Sequence, residues 1–266
     1  MNRKFIIRTI AFLMLYLAAA SYMLQNEEKF FFKHDQLEKD FTYVFTVPFE
    51  ERFVQVNKEL MLSALYFTQE NSKGLVLYFP DGDYISTEYN PSANYFYSNG
   101  YSLLIPDYRG TGKTSSHYQN EKDIFEDALQ WYKMAHRIAD TTPLIICGKE
   151  FGSGIAAQVG GGYPADLLWL ENPYYAWNEI MLKEYFWWLP HTWFTQYKIP
   201  LWEYIRKSNN RIVLVHSSKN KDFPINNSHR LLEYLKPGDD LIELDGEEID
   251  DMDADFQKSM EKIGFR

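Results

Sequence analysis

The stretch from Leu144 to Ala157 constrains the fold more than any other part of this chain. Leu144-Ile145-Ile146-Cys147 is a short apolar run, as expected of a parallel strand buried on both faces. Gly148-Lys149-Glu150-Phe151-Gly152 follows at once, and then Ser153-Gly154-Ile155-Ala156-Ala157. A turn this tight between strand and helix tolerates no bulk at its flanking positions, here Gly148 and Gly152. The central residue, Glu150, is forced out at the top of the sheet. The two glycines and the small residues after them fix a strand–turn–helix unit with a carboxylate at its apex.

The rest of the chain repeats that alternation. Strands are predicted over 41–53, 60–67, 75–79, 101–106, 143–147, 166–170, 212–216 and 241–244. Helices are predicted over 93–99, 122–138, 152–159, 228–235 and 256–263. In the second of these Ile124, Ala128, Trp131, Ala135 and Ile138 share one face. Such alternation implies an α/β class domain, a mostly parallel central sheet with helices on both faces. No linker, repeat or low-complexity segment interrupts it, so residues 30–266 read as one domain. An aromatic-rich insertion at about 173–208 carries Tyr174, Tyr175, Trp177, Tyr185, Phe186, Trp187, Trp188, Trp193, Phe194, Tyr197, Trp202 and Tyr204. These rings either pack a cap onto the body or present a surface to a lipid, a small apolar ligand or a protein partner.

Residues 1–25 are of another kind. Asn2-Arg3-Lys4 and Arg8 lead an apolar stretch in which Phe5–Leu24 holds a single charge, long enough to cross a bilayer as a helix. Gln25-Asn26-Glu27-Glu28 follows. Basic residues before the span and acidic ones after it place the N-terminus inside and the domain on the exported side. Ala18-Ala19-Ala20 also suits signal cleavage, so a single-pass anchor and a secreted product both stay open. Phe30-Phe31-Phe32 comes next, where aromatic rings can sit at the membrane interface.

The charge balance narrows the partners. The 266 residues carry a formal net charge of −10, and no Lys/Arg cluster follows residue 10, which argues against nucleic acid. Ten acidic residues and no basic ones lie between Asp239 and Asp255. Their spacing does not match an EF-hand, and neither a metal nor a cofactor is expected. Gly110-Thr111-Gly112-Lys113-Thr114 lacks the earlier glycine of a phosphate loop. The lone cysteine, Cys147, lies in the apolar strand and reads as core filler.

From about Phe32 onward the chain resembles the membrane-anchored branch of the α/β-hydrolases, related to the prolyl and serine aminopeptidases and the abhydrolase-domain proteins. The resemblance rests on Lys73–Phe79, on Gly100–Thr114 with Asp107-Tyr108-Arg109-Gly110-Thr111-Gly112-Lys113, on the Glu150 turn and on Ile212–His216. It implies the α/β-hydrolase fold and, in active relatives, a Ser–His–acid triad. Carried over residue by residue, the nucleophile position falls on Glu150, the acid on Asn220 and the imidazole on Ile249. Asp222 is the nearest substitute acid, and Pro80-Asp81 stands where relatives have His-Gly in the oxyanion loop. The resemblance therefore implies a pseudohydrolase acting by binding or scaffolding. The alternative is an ester or peptide hydrolase that uses Glu150 as nucleophile or base, as some relatives use an aspartate. It would need an imidazole, for which His216 and His191 stand in line. The expected pocket comprises Pro80, Asp81, Glu150, Phe151, His216 and Asp222. In it Glu150 is expected to accept from the N–H groups of the Phe151-Gly152 turn or of the Pro80–Gly82 loop, with Arg109 as an ion partner or a brace for its own loop.

Overall fold

The structure, a computed structural model, describes residues 3–184, 187–188 and 195–245. The predicted helix 256–263, Ile249, His191, Tyr185, Phe186, Trp193, Phe194 and the acidic run beyond Asp245 lie outside the described residues.

Helix α1 (Arg3–Gln25) is apolar and exposed, and is long and apolar enough to cross a membrane by length and composition. A 3-10 turn, Glu27–Phe30, leads from it to the short strand β1 (Asp35–Gln36). Among the described residues the main sheet has eight strands: β2 (Phe49–Gln55), β3 (Met61–Phe67), β4 (Leu75–Phe79), β5 (Ser102–Pro106), β7 (Leu144–Lys149), β8 (Leu167–Glu171), β9 (Ile212–Ser217) and β10 (Asp240–Leu244). Their spatial order is β10-β9-β8-β7-β4-β5-β3-β2. Only the pairings of β3, with β2 and with β5, are antiparallel. The other pairings are parallel. Strand β6 (Thr111–Gly112) pairs with β1 outside this sheet.

The helices are α2 (Asn90–Ser98), α3 (Glu121–Ala139), α4 (Phe151–Gly162), α5 (Trp177–Glu184), α6 (Leu201–Lys207) and α7 (Asn226–Leu231). Strand residues divide alternately between two apolar layers, since successive side chains leave a strand on opposite faces. Leu75, Leu77, Phe79, Leu144 and Ile146 join one layer with residues of α3, α4 and α6. Val76, Tyr78, Ile145 and Cys147 join the other, with Ala93 and Phe96 of α2. Each central strand is thus covered on both sides, which is why it reads as an unbroken apolar run. Fully burying one such side chain stabilises the fold by roughly 1.5–3 kcal/mol.

The segment 41–48 departs from the sequence reading. The alternation of Phe41, Tyr43 and Phe45 predicts strand, yet residues 41–48 join no ladder and the strand begins at Phe49. Tyr43 and Phe45 turn instead onto the layer around Phe49 and Phe67. Period-two alternation records which side chains are buried, and an extended segment laid across a sheet edge buries them without pairing.

Candidate functional site

The strand–turn–helix unit lies between β7 and α4. Glu150 holds φ 50° and ψ −115°, a backbone conformation costly for a side chain with a Cβ. The glycines explain how it is held. A Cβ at Gly148 would fall on the Gly152 carbonyl, and one at Gly152 on the Phe79 and Pro80 carbonyls. The chain can pass here only where those two side chains are absent.

Glu150 lines a cavity of about 520 Å³ at the carboxyl end of the parallel strands. Asp81, Asp83, Glu184 and Asp222 bring further carboxyl groups to its lining, opposed by Lys149, Lys219 and Lys221. The rings of Phe30, Phe31, Trp177 and Phe223 supply its apolar surface, and Asn172 and Asn220 its amides.

The hydrogen bonds of Glu150 run differently from the sequence expectation. Its Oε1 accepts from Asn220 Nδ2 at 3.1 Å and from Asn172 Nδ2 at 3.3 Å, not from backbone N–H groups. Each asparagine is braced in turn. Asn220 Oδ1 accepts the Phe223 N–H at 2.8 Å, and Asn172 Oδ1 accepts the Ser217 N–H at 3.0 Å. Glu150 and Asn220 thus bond each other directly, and no space is left for an imidazole between them. The Phe151 N–H, the first backbone amide after the apex, donates to Asp81 Oδ1 at 3.1 Å. In a working site that amide would serve the oxyanion. The carboxyl group on it belongs to Asp81, because the Glu150 side chain is already committed to its two amides. Burial, the Glu150 carboxylate and Asp83 raise the Asp81 pKa well above the ordinary carboxylate range.

The remaining expected residues are spread more widely. His216 is fully buried away from the cavity, with Nδ1 2.7 Å from Ser228 Oγ and Nε2 2.7 Å from the Phe223 carbonyl oxygen. Burial pushes its pKa below the ordinary value. With both ring nitrogens used, it braces the turn after β9 and has none to offer a reaction. Pro80 and Phe151 flank the cavity without lining it: the Pro80 carbonyl accepts from Tyr108 Oη at 2.7 Å, and Phe151 packs against Phe31 and Trp177. Asp222 lines the cavity. Arg109 does not approach Glu150 as a partner; its fork grips Asp127 at 2.7 and 2.9 Å, pinning the Gly110–Thr114 turn to α3. Among the described residues no histidine lines the cavity.

Sequence reasoning missed Asn172. It sits at the end of β8, beside β7, with φ 43°. An asparagine before Pro173, just past a buried strand, signals a turn. Its closeness to Glu150 follows only once β7 and β8 are known to be neighbours.

Comparison with known proteins agrees with this architecture. Residues 70–236 match the sequence profile of the family described as serine aminopeptidase, S33. A Pyrococcus furiosus esterase superposes with a TM-score of 0.66 at 14% identity, covering 86% of this chain and 94% of that one. A Pyrococcus horikoshii acylaminoacyl peptidase gives 0.57 at 17% identity over 80% of this chain and 41% of that one. A predicted hydrolase from Thermoplasma acidophilum gives 0.56 at 17% identity over 82% and 97%. At such identities these likenesses establish the fold alone. No curated protein matches the sequence.

Proposed function

The chain belongs to the serine aminopeptidase S33 family of α/β-hydrolases, and on that premise we propose that it is a membrane-associated pseudohydrolase, which binds a ligand in the family pocket without turning it over. The observation that carries this reading is the state of the Glu150 apex. A serine hydrolase needs a hydroxyl at the apex, an imidazole to take its proton and a free oxyanion donor. Here the apex carries a carboxylate bonded to Asn172 and Asn220, and Asp81 occupies the Phe151 N–H. The cavity is of a size that suits a small molecule. Its carboxyl groups and aromatic rings favour a ligand with an amine at one end and an apolar group at the other. A protein partner at the aromatic cap is the other binding mode the cap suits.

Helix α1 supports attachment to the membrane, with the basic N-terminus inside and the domain exported; cleavage after Ala20 would yield a secreted form instead.

One observation favours a catalytic reading. Burial and the neighbouring Glu150 raise the Asp81 pKa well above the ordinary carboxylate range, and two carboxyl groups set side by side with unequal hold on a proton are a pairing that hydrolytic enzymes use. Serine-directed labelling separates part of the question. Full-length protein treated with a fluorophosphonate probe is expected to stay unlabelled, and Glu150→Ser is expected to gain no ester hydrolysis, because Asn220 still holds the acid position. Labelling of the native protein at any serine of 148–157, or hydrolysis by the serine variant, overturns the proposal.

A further inference from the structure

Outside the pocket, three side chains from distant parts of the sequence converge where the segment after α1 meets the body. Glu28 lies in the 3-10 turn that follows α1, His34 immediately before β1, and His117 in the loop between β6 and α3. Their ligand atoms all lie within 4.8 Å of one another. Glu28 Oε1 stands 3.9 Å from His34 Nε2 and 3.7 Å from His117 Nδ1, and the two imidazoles meet edge to face with centroids 4.6 Å apart.

Two observations mark this as a built arrangement. The first concerns unmet hydrogen-bonding capacity. Glu28 Oε2 and both ring nitrogens of His34 are buried with no hydrogen-bond partner, and Glu28 as a whole keeps only 9% of its surface exposed. A buried carboxylate oxygen and a buried imidazole left this way cost free energy, which a cation between them offsets by taking a lone pair from each. The second is the space made for the rings. Gly110 holds φ 80°, and a Cβ there would lie 2.5 Å from His34 Nδ1 and 3.2 Å from His117 Nδ1. Arg109 is bound to Asp127 and to Asp123 at 3.5 Å, and makes no ion pair with Glu28.

We propose that Glu28, His34 and His117 form a site for a divalent transition metal of the zinc class, which clips the segment after the membrane helix onto the hydrolase body. Two imidazoles and one carboxylate are a recurrent zinc donor set that leaves a fourth position for water. Bonds of about 2.0–2.1 Å in tetrahedral geometry put ligand atoms about 3.3 Å apart, so metal binding draws the three side chains together by about 0.4 to 1.5 Å from their present separations of 3.7 Å to at most 4.8 Å. The consequence reaches the pocket. Phe30 and Phe31, both lining the cavity, lie between the Glu28 and His34 ligands, so the metal fixes the stretch of chain that forms one side of it. The proposal is independent of whether the pocket binds or reacts.

The test uses untagged full-length protein in detergent, stripped with chelator and titrated with zinc chloride, with bound metal counted by mass spectrometry. Trypsin supplies the second readout, because Lys29 and Lys33 are exposed within the clipped segment. About one zinc per chain is expected, with slower cleavage after Lys29 and Lys33 when zinc is bound. His117→Ala is expected to weaken binding by about a hundredfold or more. Its side chain is 56% exposed, so its loss leaves the fold intact. Zinc below a tenth of an equivalent per chain overturns the site. So does full binding by the double variant His34→Ala/His117→Ala, or cleavage that zinc leaves unchanged.

Discussion

Asn220→Ala is the substitution whose cost is most directly readable from the site. The wild-type side chain makes two hydrogen bonds: Nδ2 donates to the Glu150 carboxylate at 3.1 Å, and Oδ1 accepts the Phe223 N–H at 2.8 Å. A bond to a charged acceptor contributes about 1.5–3 kcal/mol, and partial exposure of both residues places this one at the low end. The orphaned amide of the buried Phe223 adds about 1 kcal/mol. The substitution should therefore cost about 2–3 kcal/mol, a fall in Tm of roughly 4–12 °C for a domain of this size. Asn172→Ala removes an equivalent pair of bonds and also puts alanine at φ 43°, which asparagine tolerates better, so it should cost about 1 kcal/mol more. Asn172→Asp keeps the Ser217 bond but sets a second carboxylate against Glu150. Its deficit should shrink as pH falls, because protonation restores a donor. Thermal unfolding followed by circular dichroism of the full-length variants reads all three. An Asn220→Ala protein within 0.5 kcal/mol of wild type would refute the view that the two asparagines hold Glu150 in place.

Three further outcomes follow from the structure. Buried Asp107, with Ser63 donating to its Oδ2 and Oδ1 unpartnered, has its pKa pushed up to about 7 by burial. Because the folded state holds this proton more tightly than the unfolded chain, its contribution is complete below about pH 4 and is lost as pH rises to 7; denaturant titrations should show that fall, and Asp107→Asn should flatten it. Gly152→Ala would drive a methyl into the Phe79 and Pro80 carbonyls and should yield no soluble folded protein, so a variant melting within 5 °C of wild type would contradict the steric account. Lys39→Cys places an exposed thiol just past the anchor while Cys147 stays buried; an impermeant maleimide should label it from the exported side of intact cells, and labelling only after lysis would reverse the orientation.

The strand–turn–helix unit was legible in the sequence because its geometry is dictated locally. Gly148 and Gly152 have to be glycines for the chain to turn, and that requirement survives with Glu150 at the apex. The central strands were legible for a related reason, burial on both faces. What escaped was non-local. Asp81 was expected to belong to a loop donating to Glu150, and instead accepts from the Phe151 N–H, a role set by which carboxyl group is free to reach it. Asn172 joins the site only through the adjacency of β7 and β8. His34 and His117 are separated by most of the N-terminal half and meet through the pairing of β1 with β6, a two-residue ladder with no hydrophobic pattern to announce it.

Hydrolytic turnover by the native full-length protein, measured beside Glu150→Gln on a panel of aryl esters and aminoacyl naphthylamides, tests the central claim most directly. If Glu150 is an apex residue held by Asn172 and Asn220, both proteins should hydrolyse at the rate of buffer alone. Turnover by the native protein that vanishes in Glu150→Gln, with Tm unchanged, would make Glu150 a working nucleophile or base and contradict the account.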